Sequence, residues 1–342
     1  VGGCGSTAVV RTASGQEGRG RTMRVNLVCV QQKLDIMDYS SPASFYSRLQ
    51  GYLQKVAAVA EPGCSTLVAF PEDTGTPLIF SGYGHLLGSE QSLAAAVQRL
   101  IRARFMPVVA WKLLRRTGWS QAIALERAGF LRKHYIDVFS RLAREFGYYI
   151  VGGSILLPDS GTRSADVYNV SYLFGPDGNI IGSQKKVNLI ELEGEQGLGL
   201  AGGELGELAV YDTEIGRIGI AICFDAFHET VLDKLRQQGT DILVQPSANP
   251  GPWHHDQRFD WVKSAATACG EKGWFPFALN PMMTGTLFDL VFEGQSAIFS
   301  ASGSGEDRAS GLGYAATGPL PGCVAVAPSW VEEEVIVATV DI

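Results

Sequence analysis

The sequence predicts an α/β fold, organised as a single domain around a mixed sheet system. Three observations carry that reading. Short apolar runs alternate with helix-periodic stretches along most of the chain, and strand-like runs then accumulate near residues 286–342. The 342 residues are 46% hydrophobic and 18% charged, which supplies a large core and excludes a disordered chain. Glycine stands at 41 positions, about 12% of the chain against a usual level of about 7%, so many tight turns and close backbone approaches are expected. Length alone allows one large domain or two small ones, and no internal repeat is evident.

The elements follow in order. Met23 opens the first convincing strand, MRVNLVCVQQ. From Pro42 to Ala60, the residues Phe45, Leu49, Leu53, Val56 and the Val59–Ala60 pair recur on one helical face. A buried strand, Thr66 to Phe70, leads into Pro71-Glu72. A long helical segment is expected from about Ser92 to Phe146, broken or kinked near Met106 because Pro107 lacks a donor and crowds the preceding turn. Tyr148 to Gly152 reads as a strand. Val170–Phe174 and Ile180–Lys185 read as a hairpin across the turn Pro176-Asp-Gly178. Arg217 to Ile222 is a strand running straight into Cys223. A helix covers roughly Glu229–Gln238, Asp241 to Gln245 is a further strand, and Val335–Ile342 is the last one.

Composition excludes several function classes. Lys and Arg number 28 against 35 Asp and Glu, a net charge of −7, where a dedicated nucleic-acid binder would present a basic face. The six cysteines (Cys4, Cys29, Cys64, Cys223, Cys269 and Cys323) form no CxxC and no zinc-type spacing. In a chain this long they are no disulfide scaffold, so a reducing, cytoplasmic compartment is expected. No run of 18 or more residues reads as a membrane span; the charge-free stretch Gly311–Val331 is punctuated by Gly and Pro and reads as loop and short strand. Residues 1–22 are rich in Gly, Ser, Thr and Arg and are expected to be a flexible tail. They lack the apolar stretch of a secretory signal, while Arg11, Arg19 and Arg21 leave a transit peptide as the alternative.

Three residues stand where chemistry is commonly placed. Cys223 closes an apolar strand; a nucleophile on the turn after a strand is held rigidly, with flanking backbone N–H groups free to bind an oxyanion. Glu72 ends a buried strand, a position that often faces a cleft, and Lys186 follows a strand beside Lys185. Each also has an ordinary reading: a buried structural thiol, a solvated loop acid, a surface lysine pair. Two further constellations stand in the sequence. Cys223, His254 or His255, and Asn280 follow the Cys–His–Asn order of papain-like proteases, without their spacing or local signature. His254-His-Asp256 suggests a metal site, but three adjacent residues cannot all face one ion from a regular element.

Taken together, Phe70-Pro-Glu72, Lys186-Val-Asn-Leu189 and Ile220-Ala-Ile-Cys223-Phe-Asp225 resemble the nitrilase, or carbon–nitrogen hydrolase, superfamily, whose Glu–Lys–Cys triad occurs in this chain order. The resemblance extends to Tyr168–Gly178, Gly239–Ser247, Asn280, Phe292-Glu-Gly-Gln-Ser296 and Val335–Ile342, and covers about residues 23–342 apart from one segment. It implies a four-layer α-β-β-α sandwich, a homodimer or higher homo-oligomer paired through the helix after the nucleophile, and no metal or organic cofactor. It implies that Cys223 is the nucleophile, Glu72 the general base and Lys186 the oxyanion stabiliser. A second active-site glutamate follows the lysine in this family. Glu191, Glu193 and Glu195 all fall in the window, with Glu193 favoured and Glu195 second. Phe224, Glu195 and Asn249 are the expected substrate and oxyanion contacts.

The reaction so implied is hydrolysis of a non-peptide carbon–nitrogen bond in a small-molecule amide, ω-amide or carbamoyl-amine. The nitrile-hydrolysing branch usually carries Trp-Glu after the nucleophile, and this chain has Phe224-Asp225, which favours amides over nitriles. The lipid acyl-transfer branch normally has membrane spans. The alternatives are nitrile hydrolysis by the same triad, a non-catalytic binding or scaffold protein on the same fold, and a membrane-surface enzyme.

One segment departs from the family pattern. Glu72 and Tyr148 are separated by 75 residues, and residues 76–133 carry nine Lys and Arg (Arg99, Arg102, Arg104, Lys112, Arg115, Arg116, Arg127, Arg132 and Lys133) against two acids, Glu90 and Glu126. The same stretch is apolar at Leu93, Val97, Leu100, Ile101, Phe105 and Trp111. It reads as a pair of surface helices, as a lid over a cleft that begins at Glu72, or as a basic amphipathic surface for an anionic membrane or acidic partner.

Overall fold

The computed structural model describes residues 23–84, 92–159, 165–301, 312–314 and 318–342. The expected tail at 1–22, Cys4 and Glu90 lie outside these residues. The strands are β1 (Arg24–Gln31), β2 (Lys33–Leu34), β3 (Ser65–Ala69), β4 (Tyr149–Val151), β5 (Ile155–Pro158), β6 (Val167–Phe174), β7 (Ile180–Lys185), β8 (Val210–Thr213), β9 (Gly216–Ile220), β10 (Ile242–Val244), β11 (Phe277–Asn280), β12 (Thr284–Leu287), β13 (Leu290–Phe292), β14 (Ala297–Ser300), β15 (Gly313–Tyr314), β16 (Gly318–Pro319), β17 (Cys323–Val326) and β18 (Glu334–Asp341). The α-helices are α1 (Pro42–Val59), α2 (Leu93–Ala103), α3 (Phe105–Arg115), α4 (Trp119–Phe146), α5 (Glu229–Gln237) and α6 (His255–Val262).

Two sheets dominate. In the first, β18, β1, β3 and β4 lie side by side; β4 and β5 pair with successive parts of β6, and β7 pairs with β6 as well. In the second the order is β17-β14-β11-β10-β9-β8, with β9, β10 and β11 parallel. Period-two alternation builds the layers. Val25, Leu27 and Cys29 of β1 face the second sheet, packing with Ile218, Ile220, Leu279 and Ile298. Val28 and Val30 face the other way, onto Phe45, Leu49 and Val56 of α1 and Tyr135, Phe139 and Leu142 of α4. On the far side of the second sheet, Val231, Leu232 and Leu235 of α5 close the core. The result is the α-β-β-α sandwich, and its strand ends carry the site.

The expected long helix between Ser92 and Phe146 is three helices. The first break falls at Arg104, two residues before Met106, and the second at Arg116–Gly118; Pro107 sits in the first turn of α3, where a missing N–H leaves no intrahelical bond unmade. The basic, apolar segment at 76–133, expected from the sequence as a helical insert, has no structural boundary at residue 133. The helix α4 runs on unbroken to Phe146, and its second half is the regular layer helix on the first sheet.

Candidate active site

Four segments converge at the strand ends. The loop after β3 carries Glu72. It is fixed by the turn between β4 and β5: Phe70 N–H donates to the Val151 carbonyl (2.9 Å), Asp73 N–H to Ser154 Oγ (2.9 Å) and Gly75 N–H to the Ser154 carbonyl (2.9 Å). Gly153 makes this contact feasible. Its φ is +70°, and a Cβ there would stand 2.0 Å from the Pro71 carbonyl oxygen. Lys186 follows β7. Strand alternation turns Lys185 outward to Asp159 (3.0 Å) and Glu207 (3.3 Å), and Lys186 inward, where it is fully buried.

A buried ammonium needs partners. Lys186 Nζ has two, donating to Glu72 Oε1 (2.8 Å) and to Glu193 Oε2 (2.6 Å). Asn169, on β6, repeats that bridge on a second path, its Nδ2 donating to Glu72 Oε1 (2.9 Å) and Glu193 Oε1 (3.0 Å). Glu193 also accepts from the Ile190 N–H (3.0 Å), which ties its own turn to the cluster. The remaining Glu72 oxygen, Oε2, accepts from the Ala248 N–H (3.2 Å).

Cys223 sits beyond β9, at the start of the 3-10 turn Cys223–Phe227. Its φ of +48° is in the left-handed region, which a residue with a Cβ occupies at a cost of about 1–3 kcal/mol. Its N–H is anchored on the Pro246 carbonyl (2.8 Å), and its thiol lies 3.8 Å from the Ala248 carbonyl and within hydrogen-bonding reach of Glu72. The Ala248 peptide therefore touches both Glu72 and Cys223. The Phe224 N–H is one of the donors that the start of a helical turn leaves without an internal acceptor. Asp225, fully buried, fastens the Cys223 turn to the Lys186 loop: its carboxylate accepts from the N–H groups of Val187 (3.1 Å) and Asn188 (2.7 Å) and from Asn188 Nδ2 (3.0 Å).

Burial sets the electrostatics. It raises the Glu72 carboxyl to about 8; Lys186 opposes that rise and Glu193 adds to it. Burial pulls the Lys186 ammonium down, but Glu72, Cys223 and Glu193 outweigh it and leave the group well above the ordinary lysine range. The Cys223 thiol is pushed up by burial and by Glu72, with Lys186 opposing. The neighbouring Asp73 is raised to about 6, again by burial. The cluster thus rests as a charged lysine among carboxyl groups beside a thiol with an acceptor next to it. In chemical terms it offers a nucleophile, a proton acceptor and a fixed cation within one buried space.

A small cavity of about 80 Å³ opens on the cluster, with Glu72, Asp73, Lys186, Glu193 and Ala248 as its polar wall and Leu93, Leu156, Met283, Leu287 and Phe292 among its apolar ones. Leu93 comes from α2, so the basic, apolar segment reaches the site. The exposed side of that segment carries Met106, Leu113 and Leu114.

Not every residue singled out from the sequence arrives here. Glu191 and Glu195 are exposed, and Glu193 alone of the three turns inward. Glu195 makes no hydrogen bond or ion pair with the cluster among the described residues. Asn249 is buried next to Ala248, but its Nδ2 braces the loop by donating to the Gly251 and Glu293 carbonyls (both 3.1 Å). The Phe224 ring packs edge-on against His228. His254 and His255 are exposed, and Asn280 is held by Gln245, Ser247 and Trp261, so no Cys–His–Asn grouping forms. Among the described residues no group of three His, Cys, Asp or Glu is placed to hold a metal ion, and no helix is long and apolar enough to cross a membrane. Sequence reasoning passed over Asn169, Ala248 and the clamp made by Asp225. A polar Asn in the middle of an apolar strand, against strand propensity, was the one signal available for the first.

Residues 93–342 match the family model described as Carbon-nitrogen hydrolase. The chain is 30% identical over 127 residues to Omega-amidase NIT2-B of Xenopus laevis, which covers 34% of this chain and 44% of that protein. It thus spans less than half the length of the curated relatives it matches. Solved structures extend the likeness over the whole fold. That of Saccharomyces cerevisiae Nit3, a member of branch 10 of the nitrilase superfamily, has a TM-score of 0.58 at 19% identity, covering 93% of this chain and 90% of that one. That of an amidase from Nesterenkonia sp. has a TM-score of 0.57 at 16% identity, covering 96% and 94%. At these identities the structural likeness speaks for the fold.

Proposed function

The chain belongs to the carbon-nitrogen hydrolase family, and from that premise we propose that it hydrolyses a non-peptide amide bond through a thioester on Cys223. The observation that supports this most directly is the buried Lys186, held between Glu72 and Glu193, with the Cys223 thiol beside Glu72. Glu72 takes the thiol proton as sulfur adds to the amide carbonyl; the C–S bond forms and the carbonyl π electrons move to oxygen. Lys186 and the Phe224 N–H stabilise that oxyanion. Collapse re-forms the carbonyl and breaks the C–N bond, the nitrogen leaving with the proton from Glu72. Water then adds to the thioester, giving its proton to Glu72, and the acid departs as the C–S bond breaks and the thiol regains a proton. No metal or organic cofactor enters any step.

In this reading Glu193 and Asn169 are positioning groups that orient Lys186 and Glu72, and Asp225 holds the Lys186 loop against the nucleophile. The α2–α4 segment covers the substrate cavity as a lid. A homo-oligomer joined through α5 and residence in the cytoplasm belong to the same proposal. The test is product release from a panel of amides, nitriles and carbamoyl-amines by the wild type and by Cys223→Ala. The wild type is expected to release ammonia or amine from an amide and Cys223→Ala to release none. Equal release by both, or turnover of nitriles alone, would overturn the reading.

A further inference from the structure

Beside the cavity that holds Glu72 and Lys186 lies an open groove of about 700 Å³. Four side chains line both spaces, and all four are leucines: Leu93, Leu192, Leu198 and Leu290. Beyond them Val97 and Ile101 of α2, with Phe105 and Trp119, continue the apolar wall, and Gln98, Arg102, Ser120 and Asp289 add polar groups farther along the groove. The polar wall of the cavity has the opposite character. Its charged groups are the carboxyls of Glu72, Asp73 and Glu193 and the single ammonium of Lys186, which both glutamates already hold. A substrate carboxylate placed there would face these carboxyl groups in a buried site and find no spare cation. A neutral hydrocarbon chain leaving the cavity would instead pass a ring of leucines and lie along the groove.

We propose that the amide taken by this site carries a long apolar chain, uncharged where it passes the leucine junction, seated in the groove between α2, the start of α4 and the loop bearing Leu192 and Leu198. This names a substrate class for the hydrolase reading above and rests on it. The continuity of apolar wall from carboxylates to groove sets the occupant: the far end of the substrate itself. The unusual helices then do specific work, because α2 supplies both Leu93 at the junction and Val97 and Ile101 beyond it.

The experiment measures kcat/KM of the full chain on three matched series. These are primary alkanamides from butyramide to decanamide, N-alkylacetamides with the chain on the amine side, and ω-carboxylated primary amides of equal length. Acid and amine products are followed by mass spectrometry. In one neutral series kcat/KM is expected to rise with length, by up to about fourfold per buried methylene, and among the shortest members, whose carboxylate cannot pass the leucines, neutral amides are expected to exceed their ω-carboxylated counterparts. Ile101→Trp and Val97→Trp, both at partly exposed positions, are expected to cut the long-to-short ratio at least tenfold. The wild-type series stands even if a variant does not fold. A flat or falling dependence on length in both neutral series, or preference for the carboxylated amide among the shortest chains, would overturn the proposal and leave the hydrolase reading intact. Failure of every amide, with no dependence on Cys223, would overturn the hydrolase reading itself.

Discussion

Glu72 illustrates how one residue's surroundings decide its chemistry. Its carboxyl is buried beside a lysine and a second glutamate, and burial wins, placing it at about 8. As a base it must be ionised, so kcat/KM is expected to fall as pH drops through that value, because the protonated carboxyl cannot take the thiol proton. Glu72→Gln should lower the rate by about 10²–10⁴ and remove that acid limb. A pH–rate profile of both proteins checks this, and an unchanged limb in Glu72→Gln would assign it elsewhere. At this scale much was legible. Glu72 and Cys223 each stand at the end of an apolar run, whereas Lys186 follows the polar strand Ile180–Lys185 and was singled out by the family resemblance. The acid run 191–195 was not legible to the residue, because a turn without periodicity does not declare which side chain is buried. Asn249 braces its own loop through Nδ2. Its backbone neighbour Ala248 makes the contact with Glu72 and Cys223, and alanine carries no chemical signal.

At the scale of elements, the site depends on how closely two loops approach. Gly153 and the Pro71 carbonyl lie so near that no Cβ fits, and Glu72 is the next residue. Gly153→Ala is expected to destabilise the fold by about 1–3 kcal/mol or more from backbone strain, and to reduce kcat beyond what lost stability explains by displacing Glu72. Gly63→Ala is the control: φ is also positive, at +80°, but nothing lies within 4 Å of the added Cβ. Denaturation midpoints and kcat for both variants check the comparison, and equal kcat values in the two would contradict it. The expected strands and α1 fall within a residue or two of the bounds read from apolar periodicity, except that β6 begins three residues before Val170, and β5, β8 and β11 were not legible as separate strands. The helices after Ser92 were less so. Pro107 was correctly a disturbance, but the chain breaks upstream at Arg104, since a proline is tolerated within a helix's first turn and so marks a start as well as an end.

For the whole molecule, the order of chemistry along the chain and its convergence in space are separate facts. Glu72 follows β3 and Lys186 follows β7, both of the first sheet, and Cys223 follows β9 of the second, so the site exists only where the two sheets are stacked. Family resemblance implied that stacking; composition and periodicity established only that strands and helices alternate. The helices α2 and α3 were visible as a basic, apolar anomaly, yet their reach to the cavity through Leu93 required the fold. The central claim is that Cys223 carries the acyl group. Rapid-quench mass spectrometry of the wild type during turnover of an amide tests it most directly. The account predicts a mass gain equal to the acyl fragment on the peptide containing Cys223, absent from Cys223→Ala. Product formation with no adduct at Cys223, or with the adduct on another cysteine, would contradict it.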